Sequence, residues 1–172
     1  MWWFKTLLKI ITPLIFIINI LGCGYQLIST SPIILPENIT LINISKIKNP
    51  TTNPQIPTEF RTQLIDEFSK RSSNIKFVDN EEAEAQLIIE IVDYSLETDV
   101  ENIYEETEKS DLCMTVRCYL YNRQDKLVWD SKNISKCESL SKNASASEVK
   151  RTREKVIKDI IIKLAMQLSN NF

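Results

Sequence analysis

Leu112 to Tyr121 alternates without a break. Leu112, Met114, Val116, Cys118 and Leu120 share one face, and Cys113, Thr115, Arg117, Tyr119 and Tyr121 share the other. Successive side chains of a strand point to opposite sides, so this stretch is a strand with one apolar and one mixed face. The first set is the better core face. A sheet built on it needs a cover on that side only. The C-terminal segment supplies one. From about Ser147 to Leu168, Val149, Val156, Ile157, Ile160, Ile161, Leu164 and Leu168 recur at helical spacing, and Ser145 with Glu148 fits a capping box. A second amphipathic helix runs from Thr58 to Arg71, with Phe60, Leu64, Ile65 and Phe68 on one side and Pro57 just before its start.

The other elements fall between these. Ile39 to Ile44 is β-branched and alternating, a strand. Lys48 to Pro57 contains Pro50, Pro54 and Pro57 and is a loop. Ile75 to Val78 is a short strand. Ala85 to Leu96 is near-continuously apolar, as expected of a central strand. Asn122 to Asp125 is a turn, and Lys126 to about Cys137 is one returning strand. Strands in the middle and helices at either end make the chain α+β.

The N-terminus carries a different signal. Lys5 and Lys9 precede an apolar run ending in Ile20-Leu21-Gly22-Cys23. A positive start, a short apolar run and small residues at a cut site form a secretory signal. The run between Lys9 and Cys23 is too short for a spanning helix, which needs about 20 apolar residues. Leu-Gly-Cys after an aliphatic residue resembles the bacterial lipobox. That resemblance implies that Cys23 is acylated through its thiol and that the chain is cut before it. Residues 1–22 are then a lipoprotein signal peptide, and 23–172 one domain with a lipidated tether over about 23–38. Gly24, where inner-membrane lipoproteins tend to carry Asp, favours the periplasmic face of the outer membrane.

Composition narrows the chemistry. The 172 residues carry 21 basic and 23 acidic groups, a net charge of −2, with no basic stripe. A nucleic-acid partner is not expected. Histidine is absent and glycine occurs only twice, both times beside Cys23. Ser-His-Asp and Cys-His catalysis are excluded, as are glycine-rich phosphate loops. No CxxC or G-x-S-x-G pattern occurs. No metal, cofactor or enzymatic activity is expected. The acidic run from Glu97 to Asp111 reads as a solvated charge run, its spacing matching no oxygen-ligand calcium loop.

Three cysteines follow Cys23. Cys113 and Cys137 lie on the two arms of the hairpin around Asn122 to Asp125, and an even register sets them opposite each other as a possible disulfide. Cys118, on the core face, is the leftover buried thiol. On the mixed face Arg117, with Arg123 and Lys126 at the hairpin tip, reads either as phosphate contacts or as ordinary solvated surface. Trp129, Tyr119 and Tyr121 read as partner-facing aromatics or as sheet packing.

Cys23-Gly-Tyr-Gln-Leu27, then Leu35-Pro36 and Ile39-Thr-Leu-Ile-Asn-Ile44, resemble the start of the LptE family of lipopolysaccharide-assembly lipoproteins. Thr58-Glu-Phe-Arg-Thr-Gln-Leu64 and the passage from Asp79 into Ile88-Glu-Ile-Val-Asp-Tyr94 do so as well. The resemblance covers Cys23 to about Leu96, and beyond that it is one of architecture. It implies a single mixed or antiparallel sheet of four to five strands with two helices packed on one face. It also implies a non-enzymatic role as plug and scaffold of the outer-membrane barrel LptD, in contact with lipopolysaccharide. A lipoprotein adaptor or pilotin-like factor of another envelope secretion or transport complex is the alternative.

Overall fold

The computed structural model describes residues 32–98, 109–141 and 143–170. Six strands form one sheet: β1 (Leu41–Ile44), β2 (Lys76–Phe77), β3 (Ala85–Thr98), β4 (Lys109–Asn122), β5 (Leu127–Asp130) and β6 (Ile134–Ser141). Two helices, α1 (Ile56–Arg71) and α2 (Ala146–Asn170), cover one side. The strand order is β2-β1-β3-β4-β5, with β6 also paired to β4. β1 runs parallel to β2 and β3, and every other pairing is antiparallel. The architecture is the expected α+β one, with a mixed sheet.

The strand count exceeds the expected four to five because the returning strand is broken. β5 and β6 lie in line along the same edge of β4, opposite residues 119–121 and 109–116. Between them Lys132 takes a left-handed conformation (φ 57°). Ser131 fills the gap: its N–H donates to the Cys118 carbonyl (2.9 Å), and its hydroxyl accepts from the Cys118 N–H (2.8 Å). Pairing then runs on to Ser141, four residues beyond the expected end at Cys137.

Leu112, Met114, Val116, Cys118 and Leu120 are all buried to within 1 % exposure, so the alternation of β4 sets the core side. Ala85, Leu87, Ile89 and Ile91 of β3 join them. A bulge at Val92 then inserts one residue, exposes Val92 and turns Tyr94 toward the core. β3 is central in the order, as its apolar run suggests, yet only one of its faces is covered. Its apolar outer residue Ile88 is half-buried rather than sealed.

α1 starts two residues before Thr58, with Pro57 in the first turn, where a missing N–H costs nothing. Ile56, Phe60, Leu64 and Phe68, four residues apart, are its buried stripe. On α2 the buried set is Val156, Ile157, Ile160, Ile161, Leu164, Ala165 and Leu168. The Ser145 hydroxyl caps α2 by accepting from the Glu148 N–H (3.2 Å), whereas the Glu148 carboxylate accepts from Ser141 Oγ (3.2 Å). The helices are joined by Arg153 of α2, whose guanidinium donates twice to Glu59 of α1 (2.7 and 2.8 Å). That carboxylate is the main reason the guanidinium binds its proton more tightly than usual.

One boundary moves. Of the tether expected over about 23–38, the described part from Ile33 onward belongs to the body: Ile33, Leu35 and Pro36 are buried, and Pro36–Asn38 forms a 3₁₀ turn against β5. Apolar residues at alternate positions dock this stretch on the core. Cys23, the signal segment 1–22 and most of the acidic run between Glu97 and Asp111 lie outside the described residues.

Candidate partner-binding face of the sheet

The helices cover one side of the sheet, and no described element covers the other. Its centre is built by cross-strand pairing. Tyr121, Tyr119 and Arg117 of β4 stand opposite Gln86, Ile88 and Glu90 of β3. On the other flank Tyr119 stands opposite Asp130 of β5. Arg117, Tyr119 and Tyr121 are thus brought together. The Tyr119 and Tyr121 rings lie 6.4 Å apart, and the Arg117 guanidinium carbon sits 5.0 Å from the Tyr119 ring centre. The rings are tilted by 39° to each other, and together with the cation over Tyr119 they form a mixed aromatic and polar surface suited to a partner.

Arg117 is not an open cation. Its Nε and Nη2 donate to the two Asp130 oxygens at 3.0 and 2.7 Å, and Lys132 Nζ donates to the same carboxylate at 2.8 Å. The hydrogen bonds from Arg117, with help from Lys132, hold the Asp130 carboxyl far below the usual carboxylate range. In return Asp130 raises the affinity of Arg117 for its proton. Asp130 is the residue the sequence reading missed. An unbroken register from Tyr121 and Leu127 would set it opposite Cys118; the irregularity between Leu120 and Tyr121 moves it opposite Tyr119, beside Arg117, and no local pattern signals that.

Arg123 and Lys126 lie apart from this group, at the end of the sheet. Arg123 donates to the carbonyls of Ala83 (2.8 Å) and Glu82 (3.0 Å), bracing the turn that leads into β3. Beside it the Glu84 carboxylate accepts from the backbone N–H groups of Thr40 (2.7 Å) and Leu41 (3.0 Å), which keep it ionised below its usual range. Lys126 is solvent-exposed, with Nζ 3.9 Å from Glu37.

Cys113 and Cys137 form a disulfide between directly opposed residues of β4 and β6, on the open face. Cys118 is buried on the other side, and desolvation pushes its thiol well above the usual range, away from thiolate chemistry. Among the described residues no group of three or more acidic or cysteine side chains is placed to hold a metal. None of the described helices is long and apolar enough to cross a membrane.

A mixed sheet covered by two helices on one side, with an aromatic, ion-paired outer face, defines the class: a small α+β domain. A family model described as LptE, lipopolysaccharide-assembly, matches residues 39–172, and the chain belongs to that family of non-enzymatic envelope lipoproteins. The fold is similar to that of lipoprotein B from Nitrosomonas europaea (19% identity, TM-score 0.54, covering 85% of this chain and 90% of that one). It is also similar to a minor lipoprotein from Acinetobacter baumannii (13% identity, TM-score 0.50, 77% and 92%). A third likeness is to a protein from Xanthomonas campestris (10% identity, TM-score 0.55, 75% and 83%). At these identities the likeness is one of fold. A comparison with curated proteins found no match.

Proposed function

We propose that the chain is an outer-membrane lipoprotein, anchored through acylated Cys23, that assists delivery of lipopolysaccharide to the cell surface as plug and scaffold of the LptD barrel. The observation that carries this reading is the family match over 39–172, which takes in the whole sheet and both helices. The mechanism is occupancy and orientation rather than chemistry. A rigid two-layer body fills a lumen, and the open face around Tyr119 and Tyr121 meets the barrel wall. Arg117, locked to Asp130, contributes a flat polar plate to that face. Arg123 and Lys126, at the sheet end, are the groups placed to approach glycolipid phosphates.

Depletion of the chain in its native host tests the reading. Surface lipopolysaccharide and mature barrel should fall together. Normal levels of both after depletion would remove the assembly role and favour an adaptor of another envelope complex.

A further inference from the structure

The connection between β1 and α1 forms one wall of a groove of about 720 Å³. That wall is held in place by its own hydrogen bonds. The Lys48 N–H donates to the Ile89 carbonyl, and the Lys48 carbonyl accepts from the Ile91 N–H, both at 2.9 Å, so the connection starts as an extension of the sheet beside β3. The Asn49 side chain then closes the loop. Its Nδ2 donates to the Asn53 carbonyl (2.9 Å), and its Oδ1 accepts from the Thr51 N–H (3.2 Å) and hydroxyl (2.7 Å). Pro54 and Pro57, whose rings fix φ, also line the groove. A wall built this way loses little freedom when a ligand binds.

Three cations line the groove, and no acid does. Lys46 and Lys48 are exposed on either side of buried Ile47. Among the described residues neither ammonium has a hydrogen bond or an ion pair. Arg61 reaches in from α1 and is half-buried. Its Nη2 donates to the carbonyls of Ile44 (2.7 Å) and Ser45 (3.0 Å), while Nε and Nη1 have no partner among the described residues. A guanidinium fork already fixed by one nitrogen, with two point charges beside it, suits a phosphate. The acids of neighbouring elements stand outside the lining. Glu59 is held by Arg153, Glu90 is in register with Arg117 as well as Lys48, and Asp79 and Glu82 line a separate hollow that shares Arg61. The volume falls within the range of about 300–1,000 Å³ of whole small-molecule sites, far more than one phosphate fills.

We propose that this groove is a subsite for the phosphorylated sugar of a glycolipid. Arg61, Lys46 and Lys48 hold the phosphate, and Pro54 and Pro57 offer apolar contact to the sugar ring. The proposal rests on the glycolipid contact in the proposed function and gives it a second place on the molecule, besides Arg123 and Lys126.

Lysine footprinting of the full acylated chain in detergent tests it. The reactivity of each lysine toward an acetylating reagent is read by mass spectrometry in four states: without addition, with lipopolysaccharide of the native host, with the same lipopolysaccharide stripped of its phosphates, and with inorganic phosphate. Intact lipopolysaccharide should lower the reactivity of Lys46 and Lys48 several-fold and leave Lys158, exposed on α2, unchanged. The stripped glycolipid and inorganic phosphate should leave all three unchanged. Equal protection of Lys46, Lys48 and Lys158 overturns the subsite, because it reports general coating. Protection that survives removal of the phosphates, or that inorganic phosphate reproduces, overturns recognition of a phosphorylated headgroup. Protection of Lys126 with Lys46 and Lys48 unchanged overturns the subsite and keeps the glycolipid contact of the proposed function. No protection of any lysine removes that contact and the subsite together.

Discussion

Arg117 looks from the sequence like a solvated charge that could be reversed without cost. The structure changes that expectation, because Asp130 holds it through two of its three guanidinium nitrogens and Lys132 shares the carboxylate. Arg117→Glu sets two carboxylates against each other on adjacent strands, so its melting temperature should fall visibly below wild type. Adding Asp130→Arg restores an opposite-charge pair and should recover part of the loss, a result read from thermal melts of the two variants. The same pair gives a pH signature. Asp130 titrates lower in the folded than in the unfolded chain, so the unfolded state takes up more protons as acidity rises. The pair's stabilisation is complete above the ordinary aspartate range, about pH 4, and drains away below it. Melts between pH 6 and pH 3 should show wild type losing more stability than Asp130→Asn, whose starting value is lower. Parallel curves would contradict the assignment.

At the scale of elements, what could be read depended on whether one residue or its neighbour across the sheet carried the information. The alternation of β4 and the stripes of both helices are local patterns; the structure follows β4 residue by residue and the helices closely, with Ile65 and Val149 only partly buried and Ile56 and Ala165 added. The break at 131–133, the bulge at Val92 and the docking of 33–38 depend on partners distant in sequence. Ser131 fits because Cys118 leaves a backbone pair to fill. In β6 the helix-side positions Lys136 and Glu138 look wrong for a core face. They are answered by Asp159 and Lys155 of α2, which no periodicity shows. The Arg153–Glu59 clamp between the helices is of the same kind, its side chains 6% and 17% exposed. Arg153→Met should cost about 3 kcal/mol in urea unfolding by stranding Glu59, and Glu59→Leu added to it should return much of that loss. The disulfide ties β6 to β4 across a separation of 24 residues. Cys113→Ser with Cys137→Ser should lower stability by about 3 kcal/mol. In the folded, unreduced protein, alkylation should reach none of Cys113, Cys118 and Cys137.

For the whole molecule, the fold was legible because a helix-covered sheet leaves its pattern in every element, and the family because stretches such as Cys23–Leu27, Ile39–Ile44 and Thr58–Leu64 resemble its members. The open face was legible only in part. Tyr119 and Tyr121 stand out on β4, but Asp130, which fixes Arg117 beside them, belongs to another strand. The anchor and the barrel are proposals read from Cys23 and from the family, and the described body is a sheet with two helices on one side. Cys23→Ala should abolish incorporation of radiolabelled fatty acid and leave the chain unprocessed. Equal label in that variant would end the lipoprotein reading. The most direct measurement is capture of the affinity-tagged, acylated chain from detergent-solubilised outer membranes of its own host, with the co-purifying barrel identified by mass spectrometry. Stoichiometric LptD, lost or weakened when Tyr119 and Tyr121 are both changed to Ala in a chain that still melts like wild type, is the predicted result. Recovery of a secretin or a transporter subunit in place of LptD would contradict the account.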